Sequence, residues 1–356
     1  EAMNTAWFLE SGQMFARLTG EDGQIDAADK AWEELASTFA MSEQLDAILD
    51  EWAYLNLQHE RFARADAIYS QLLTKFPKSP YAGQARLSLA ESRMQANELE
   101  TALAEFTAIA TDTQYADSAR EPALYHVIDI SAAQRRWVDV LKFADLFGSE
   151  FSASKYATKV QLFNAEAQLD QGNLPEAERI LQTLRQGVLE GQLTAADWID
   201  RIWVVLAEVA LAKKQYAQID TVVDELLARS PSSRFLFQLR DVQGRRWKSQ
   251  PEPDFARARE YFEQVTLDET GRGTETAARC QFLIAETLLL ENRTREALKE
   301  YHRVYLNYQG ANEWRMRGLF QAAGCEVKLG DTNGAKRSYQ DLIADKSAVN
   351  SDLESV

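Results

Sequence analysis

Small, apolar and aromatic residues recur along the chain at an interval of 37 to 42 residues. In nearly every interval a small or aliphatic residue is followed four residues later by a large apolar one, as in Ala65 with Tyr69 and Ala297 with Tyr301, whereas Val140 is followed by Ala144. This spacing places both side chains on one face of a helix. The first members of these pairs are residues 28, 65, 102, 140, 177, 219, 258, 297 and 335. The pattern therefore predicts nine similar helical units.

A second small residue usually lies twelve residues before each of these positions. Two antiparallel helices approach closely only where neither carries a large side chain, so the paired small residues predict that each unit is a helical hairpin. One unit has Ile128 and Val140 at the two positions instead, and the segment 248–254 interrupts another. The small residues of the preceding helices are Ala16, Ala53, Ala90, Ala165, Ala207, Ala285 and Ala323.

The stretch KFPKSPYAGQAR (75–86) predicts a joint between two such hairpins. Two prolines three residues apart cannot lie inside one helix, because each lacks an N–H group and clashes with the preceding turn. We therefore expect one helix to end near Phe76. Ser79 followed by Pro80 is typical of a helix start, with serine as the N-cap and proline at the first helical position. RSPSSRF (229–235) predicts a second joint of the same kind.

The repeated pattern resembles that of tetratricopeptide repeats, in which small residues occupy the eighth and twentieth positions and an aromatic residue the twenty-fourth. The best matches are LSLAESRMQANELETALAEF (87–106), FLIAETLLLENRTREALKEY (282–301) and FQAAGCEVKLGDTNGAKRSY (320–339). The resemblance implies an all-α, right-handed superhelical solenoid of antiparallel helix hairpins with about nine repeats. Long units with FPKSPYA-type joints are similar to bacterial cell-envelope members, such as outer-membrane-assembly lipoproteins and Tol-Pal coordination proteins. That similarity implies a location in the bacterial periplasm or cell envelope.

Charge divides the chain unevenly. Residues 1–178 contain 14 Lys and Arg against 29 Asp and Glu, whereas residues 179–356 contain 25 against 26. We interpret 1–190 as an acidic part that holds repeats 1–4 and the start of a fifth-unit linker region. Residues 191–356 then continue one array as a near-neutral part with irregular insertions at 248–254 and 267–276. The acidity argues against nucleic-acid binding, which needs a basic surface.

The ends of the chain predict further contacts. The first residue is Glu1 rather than Met, so we interpret the sequence as a piece of a longer protein. The final residues SDLESV stop where a tenth unit would begin. An uncapped end of a repeat array exposes an apolar face, so we expect either more chain or self-association through such ends. No apolar run is long enough to span a bilayer directly.

Groups suited to catalysis or metal binding are sparse in this sequence. His59, His126 and His302 fall in different units at different positions, which argues against a shared metal site. Cys280 and Cys325 are out of step by about two helical turns, too far for a disulfide, and are expected to be buried. The sequence contains no G-x-S-x-G, H-E-x-x-H or phosphate-loop motif. We therefore expect no enzymatic activity, metal or other cofactor.

A periodic set of residues on the first helix of each hairpin is the main candidate site. In the resembled family the second, fifth and ninth positions of these helices face the concave groove. Here the second positions carry Lys159, Arg201, Arg279 and Arg317, the fifth carry Leu87, Tyr125, Leu162, Val204, Phe282 and Phe320, and the ninth carry Glu91, Asp129, Glu166, Glu208 and Glu286. A basic and an acidic residue thus recur seven residues apart with an apolar residue between them. This arrangement is interpreted either as a track for an extended or helical peptide or as charge pairing between adjacent helices.

Residues 229–250 form the one basic and aromatic helical segment of this acidic chain. Its candidate site residues are Arg234, Arg240, Arg245, Arg246 and Trp247. The segment is interpreted either as a site for an acidic partner or as a set of cations that pair with acidic neighbouring units.

The sequence as a whole predicts a non-enzymatic scaffold or adaptor that binds protein or peptide partners along a concave groove. One alternative is a regulatory or carrier domain of a larger enzyme or envelope assembly complex, with the catalytic part elsewhere. Another is a helical-toroid glycosidase, which would need two carboxylates that converge in one pocket.

Overall fold

The computed structural model describes residues 2–193 and 197–345, with side chains from Ala6 onward. These residues form eighteen α-helices, and the described ranges contain no β-strand. The all-α prediction is confirmed. The chain's contacts group it into two compact units, which we call unit 1 (Glu1–Gln171) and unit 2 (Gly172–Val356). The sequence-based division near residue 190 stays an interpretation.

Each unit contains nine helices. Those of unit 1 are α1 (Ala2–Glu21), α2 (Ile25–Thr38), α3 (Leu45–Gln58), α4 (Phe62–Lys75), α5 (Ala82–Gln95), α6 (Leu99–Thr111), α7 (Asp117–Ala133), α8 (Trp137–Glu150) and α9 (Ala157–Asp170). Those of unit 2 are α10 (Leu174–Leu189), α11 (Arg201–Ala212), α12 (Tyr216–Arg229), α13 (Leu236–Ser249), α14 (Phe255–Leu267), α15 (Glu275–Leu290), α16 (Thr294–Asn307), α17 (Asn312–Lys328) and α18 (Thr332–Ala344). In chain order the eighteen helices make nine pairs, in agreement with the nine predicted helical hairpins.

The small side chains predicted to lie between paired helices are buried. All nine positions from Ala28 to Ala335 are at most 3% exposed, and the seven alanines of the first helices are fully buried. Around them pack large residues such as Trp32, Phe106 and Tyr301, each at most 1% exposed. The close contact predicted for the hairpins is therefore confirmed for the eight helix pairs that lie within one unit.

The turns inside the hairpins share one backbone conformation, a residue with a positive φ. In eight of the nine turns the residue five positions before the buried small residue has a φ between 57° and 83°. Glu60 is an example, where its N–H bonds to the Leu57 carbonyl at 3.1 Å and the next N–H bonds to the Asn56 carbonyl at 2.8 Å. This pair of hydrogen bonds closes the end of the first helix as a Schellman motif. The eight residues are Gly23, Glu60, Asn97, Arg135, Gly172, Lys214, Asn292 and Gly330.

The seventh hairpin, α13–α14, is the exception. Its turn spans five residues, 250–254, whereas the other helix pairs are joined by three. The small residue of α13 is therefore Gly244, fourteen rather than twelve positions before Ala258. A Cβ atom added at Gly244 would lie 2.4 Å from Cε1 of Phe262 in α14. The interruption predicted at 248–254 is thus a longer turn that moves the register by two residues and leaves the close contact in place.

The joint at 75–86 differs from its prediction at one end. Helix α4 ends at Lys75 as expected, but α5 begins at Ala82 rather than at Pro80. Ser79 does not cap the helix. Its hydroxyl accepts the N–H of Tyr81 at 3.1 Å and donates to Oδ2 of Asp46 in the previous hairpin at 2.7 Å. The Ser79 hydroxyl therefore stabilises a tight turn between the two hairpins and hydrogen-bonds this turn to α3.

First helices of successive hairpins pack against each other in both units. The contacting pairs are α5–α7 and α7–α9 in unit 1 and α11–α13, α13–α15 and α15–α17 in unit 2. Successive second helices do not pack as closely anywhere in the described ranges. First helices therefore lie on the inner side of these stacks, and their outward-facing residues form a continuous surface over α5, α7 and α9 in unit 1 and over α11, α13, α15 and α17 in unit 2.

Candidate partner-binding surfaces

In unit 1 the predicted residues Tyr125 and Lys159 are brought together. The ring of Tyr125 on α7 is half-buried and stacks on Tyr156, with centroids 4.3 Å apart. Lys159 on α9 donates from Nζ to the Tyr125 hydroxyl and lies 3.2 Å from Oδ1 of Asp129. Burial alone would lower the pKa of Lys159, but the Tyr125 hydroxyl and Asp129 outweigh it and the pKa is raised. The Lys159 ammonium group therefore stays charged, and Tyr125 and Asp129 of this chain already bind it.

In unit 2 a carboxylate occupies the fifth position of α13, where α11, α15 and α17 carry an apolar residue. With the register moved by two, Asp241 lies at the fifth position of α13 and is fully buried. Its Oδ2 lies 3.0 Å from Arg245 and also pairs with Arg279 of α15, while Arg245 reaches on to Glu208 of α11. The four residues Glu208, Arg245, Asp241 and Arg279, here called the charge chain, link three successive first helices.

The charge chain fixes the ionisation of its members. Burial alone would raise the pKa of Asp241, but Arg245 and Arg279 outweigh it and the pKa is lowered. The Cys280 thiol donates to Oδ1 of Asp241 at 3.3 Å, and burial followed by this carboxylate raises its pKa well above the ordinary value. Since the thiolate is the reactive form, Cys280 is inert at neutral pH. Both Cys280 and Cys325 are free and buried, as predicted.

Aromatic side chains gather between α15 and α17. Phe282 is half-buried and lies 5.2 Å from the ring of Tyr301 and 5.5 Å from that of Trp314. Arg317 lies over the Trp314 ring at 5.1 Å and bonds to Glu313 at 2.7 Å. Phe320, one turn further on, is 48% exposed. We call Phe282, Trp314, Arg317 and Phe320 the aromatic surface of unit 2.

Other residues of the predicted strip lie beneath the surface. Leu162 is 1% exposed, Val204 7% and Leu87 3%, so they belong to the core between hairpins. Glu166 is buried and Arg201 is half-buried, and both have interaction partners. The continuous strip is thus reduced to Tyr125, Phe282 and Phe320, and their role in binding stays a prediction.

The predicted rows of charge pair between neighbouring first helices. Lys159 with Asp129, Arg279 with Asp241 and Arg245 with Glu208 each join one hairpin to the next. Glu286 likewise pairs with Lys248 at 2.5 Å. The interpretation of internal pairing therefore holds for these residues. An exposed pair such as Lys159 with Asp129 contributes only about 0.2 to 1 kcal/mol, whereas the pairs made by the buried Asp241 matter more for stability.

The basic side chains of α13 also interact mainly with other groups of this chain. Arg240 pairs with Asp268 at 3.2 Å and Arg246 with Asp220 at 2.8 Å. Trp247 lies between two guanidinium groups, with Arg246 at 4.5 Å and Arg257 at 4.0 Å from its ring. Of the predicted cations, Arg234 is exposed and contacts the ring of Phe235. A second site for an acidic partner stays a prediction, with few free cations to support it.

An acidic patch lies on α3 of unit 1, with the exposed ring of Tyr54 beside it. Burial, Glu51 and Asp46 raise the pKa of Asp50 to about 6, and the hydroxyl of Tyr69 opposes them. The Asp50 Oδ1 atom is buried and lacks a hydrogen-bond partner. At neutral pH Asp50 therefore carries a charge that its surroundings disfavour.

We expect Asp50→Asn to stabilise the protein at pH 7.5 by about 1 kcal/mol, after allowance for solvent screening of a partly exposed group. A carboxyl whose folded pKa is raised destabilises the fold above that pKa, and the penalty disappears as pH falls below the unfolded value near 4. Urea denaturation at pH 7.5 and pH 4 measures the difference. Glu43→Gln, at an exposed carboxylate, is the matched control and should change little at either pH. Equal gains for Asp50→Asn at both pH values would contradict the prediction.

In the described residues, the side chains that could bind a metal ion do not cluster at one site. Among residues 2–193 and 197–345, no group of three or more His, Cys, Asp or Glu side chains is placed to hold a metal ion. His126 lies 3.4 Å from Glu91 and stacks on Phe106, whereas His302 lies 3.4 Å from Glu326 in unit 2. Within the same described ranges, no helix is long and apolar enough to cross a membrane.

Two functional candidates escaped the sequence reasoning. Trp314 lies outside the second, fifth and ninth positions, although an aromatic residue shortly before the second position is the signal that would have found it. The repeat pattern does not single out Asp241, because a spacing of twelve residues before Ala258 places the small position at Arg246. Recognition of Gly244 as the small residue would have placed Asp241 at the fifth position.

Comparison with known proteins supports the repeat fold. Residues 111–275 match the family model described as a tetratricopeptide repeat-like domain. No curated protein matches the chain. The apo form of the quorum sensor NprR from B. thuringiensis aligns over 95% of this chain and 99% of its own, with 11% identity and a TM-score of 0.54. The apo form of RapI aligns over 96% and 98%, with 12% identity and a TM-score of 0.55. These likenesses show a shared helical-repeat fold.

Proposed function

We propose that this protein is a non-enzymatic scaffold that binds a segment of a protein partner along the inner faces of its first helices. The observation that carries this proposal is the aromatic surface of unit 2. It places Phe282 and Trp314 in ring contact on two adjacent first helices. Phe320 is half exposed, lies six residues after Trp314 on the same helix and contacts the ring of Tyr339. Aromatic and arginine side chains in this arrangement are typical of the residues that dominate binding energy at protein interfaces.

The shape and charge of the surface suit an extended or helical segment. Its aromatic rings offer apolar contact area, and Arg317 holds a cation at their edge with 39% of its side chain exposed. The charge chain next to it is already neutral in sum, so a partner's apolar side chains meet little uncompensated charge there. Apolar anchors therefore supply affinity, while the paired charges restrict which partner segments fit.

Unit 1 favours a different part of a partner. Residues 1–178 carry 29 acidic against 14 basic residues, and the patch at Asp50 has Tyr54, 57% exposed, beside it. A Lys or Arg side chain of a partner would supply the opposite charge that Asp50 lacks. Partners with basic segments are therefore expected on this face. A location in the bacterial cell envelope is part of the proposal and is supported only by the FPKSPYA-type joint.

Selection of a phage-displayed library of linear peptides on the whole chain tests the proposal. Peptides enriched on the native protein should lose at least about tenfold in affinity for Phe282→Ala/Phe320→Ala, since each anchor contributes more than about 1 kcal/mol. Fluorescence anisotropy of the labelled peptides measures the affinity. Circular dichroism checks that both proteins keep the same helix content.

The matched control is Leu267→Ala/Leu306→Ala, which removes two exposed apolar side chains of α14 and α16 outside the aromatic surface. It should leave peptide affinity unchanged. Peptides that bind both double variants as tightly as the native chain would overturn the assignment of the aromatic surface. Turnover of a polysaccharide by the purified protein, abolished by one carboxylate substitution, would overturn the non-enzymatic role.

A further inference from the structure

Helix α1 exposes an apolar face. Its large apolar residues Trp7, Phe8, Met14, Phe15 and Leu18 are 51 to 63% exposed. At 100° per residue these five positions fall within an arc of about 120°. The opposite side of the helix, with Leu9 and Ala16, is buried against α2. The exposed residues thus form one continuous face and are not scattered.

The area of this face is sufficient for an interface. Aromatic side chains bury 150 to 250 Å² each when fully covered, so the five partly exposed residues present roughly 500 to 600 Å². A patch of this size is at the upper end of what a typical monomer exposes, and such patches are often functional. Two such faces together bury roughly 1,000 to 1,200 Å², which reaches the lower limit for a specific protein interface.

We propose that two copies of the chain associate through this face, with their α1 helices packed antiparallel about a two-fold axis at Ser11. Ser11 lies near the centre of the apolar arc and is exposed, and its small side chain allows the two helices to approach. The symmetry places Trp7 opposite Phe15 of the second copy and Phe8 opposite Met14 of the second copy. Trp7, Phe8, Met14 and Phe15 then each meet another large residue, and the two Ser11 side chains meet at the crossing.

The contact depends on apolar burial because the surrounding charge opposes it. Unit 1 is the acidic part of the chain, and two copies brought together repel each other. Added salt screens this repulsion over a Debye length of about 10 Å at 0.1 M. Association should therefore strengthen as salt rises. A dimer that weakens with salt would show that charge pairs and not the apolar face hold it.

Sedimentation velocity of the whole chain over a concentration series tests the proposal. We expect a dimer with a Kd on the order of 10 µM, as suits a small interface. Phe15→Glu should raise the Kd at least about a hundredfold, because it places a charge opposite Trp7 of the second copy. Val138→Glu is the matched control, since Val138 on α8 is 69% exposed but lies outside the face, and it should leave the Kd unchanged.

Cysteine cross-linking tests the position of the axis. The native Cys280 and Cys325 are buried, so an introduced surface cysteine is the reactive one. Ser11→Cys should form a disulfide-linked dimer under mild oxidation, and Ser149→Cys, at an exposed serine of α8, should not. A mixture of Phe8→Cys and Met14→Cys chains should cross-link unlike chains in preference to like ones. Preferential cross-linking of like chains would overturn the antiparallel arrangement.

A protein that stays monomeric at all concentrations would overturn the dimer and leave the face to another occupant. If Phe15→Glu dimerises as tightly as the native chain, the dimer does not use this face, and the proposal is overturned. Neither outcome affects the peptide test above, because that test uses residues of unit 2.

Discussion

Replacement of Asp241 by asparagine is expected to destabilise the protein by about 3 kcal/mol. The change keeps the shape of the side chain but leaves Arg245 and Arg279 without the carboxylate between them. Loss of one partner from a buried pair costs about 3 to 5 kcal/mol, and the partial exposure of both arginines favours the lower value. Urea denaturation followed by circular dichroism at pH 7 measures the loss.

The matched control is Asp220→Asn, which removes an exposed partner from Arg246. It should cost less than about 1 kcal/mol, because solvent replaces the lost contact. The pH dependence gives a second check. Because the pKa of Asp241 is lowered in the folded state, its contribution is present at neutral pH and is lost as pH falls through that value. The native protein should therefore lose its advantage over Asp241→Asn in acid. A constant difference down to the acid transition would contradict this account.

Replacement of Gly244 by alanine is the second large effect, with an expected loss of about 2 kcal/mol. The new Cβ would lie 2.4 Å from Cε1 and 2.6 Å from Cδ1 of Phe262, whose ring is fully buried and cannot swing away. Overpacking of this kind costs about 1 to 3 kcal/mol, more than the helix propensity that alanine gains over glycine. The midpoint of thermal unfolding should fall accordingly.

Gly324→Ala in α17 is the control for Gly244→Ala. A Cβ at Gly324 meets no atom within 4 Å, so the substitution should stabilise the helix by about 0.5 to 1 kcal/mol. The two substitutions are chemically identical and lie in first helices of the same unit, yet they should change the midpoint in opposite directions. If both raise it, the contact between α13 and Phe262 is not close, and the register assigned to the seventh hairpin is wrong.

The repeated hairpins could be predicted from sequence because the cause is local. A small residue such as Ala102 or Ala297 is required wherever two helices touch, and the requirement recurs with every hairpin. The helix end at Lys75 followed from Pro77 in the same way. The start of α5 did not, because Ser79 bonds to Asp46, and no local pattern records that distant acceptor.

The candidate site could be predicted only in part. Periodicity identified Tyr125, Phe282 and Phe320, but it could not separate them from Leu162 and Val204, whose burial depends on how the next hairpin packs. Periodicity also assumed a constant register, so the two extra residues of the turn at 250–254 hid Asp241. The sequence predicts charge pairing between helices as an alternative. It does not predict which residues pair, because that depends on how successive hairpins pack.

The ion pairs that run from one hairpin to the next have a consequence for how the molecule melts. Pairs such as Arg17 with Glu51, Lys159 with Asp129 and Arg279 with Asp241 couple neighbours, and they add to apolar clusters that also extend over several hairpins. In a linear array, the coupling between neighbours decides how many repeats unfold as one cooperative block. Because salt screens the ion pairs but leaves the apolar contacts between hairpins in place, concentrated salt should broaden the melting transition only slightly.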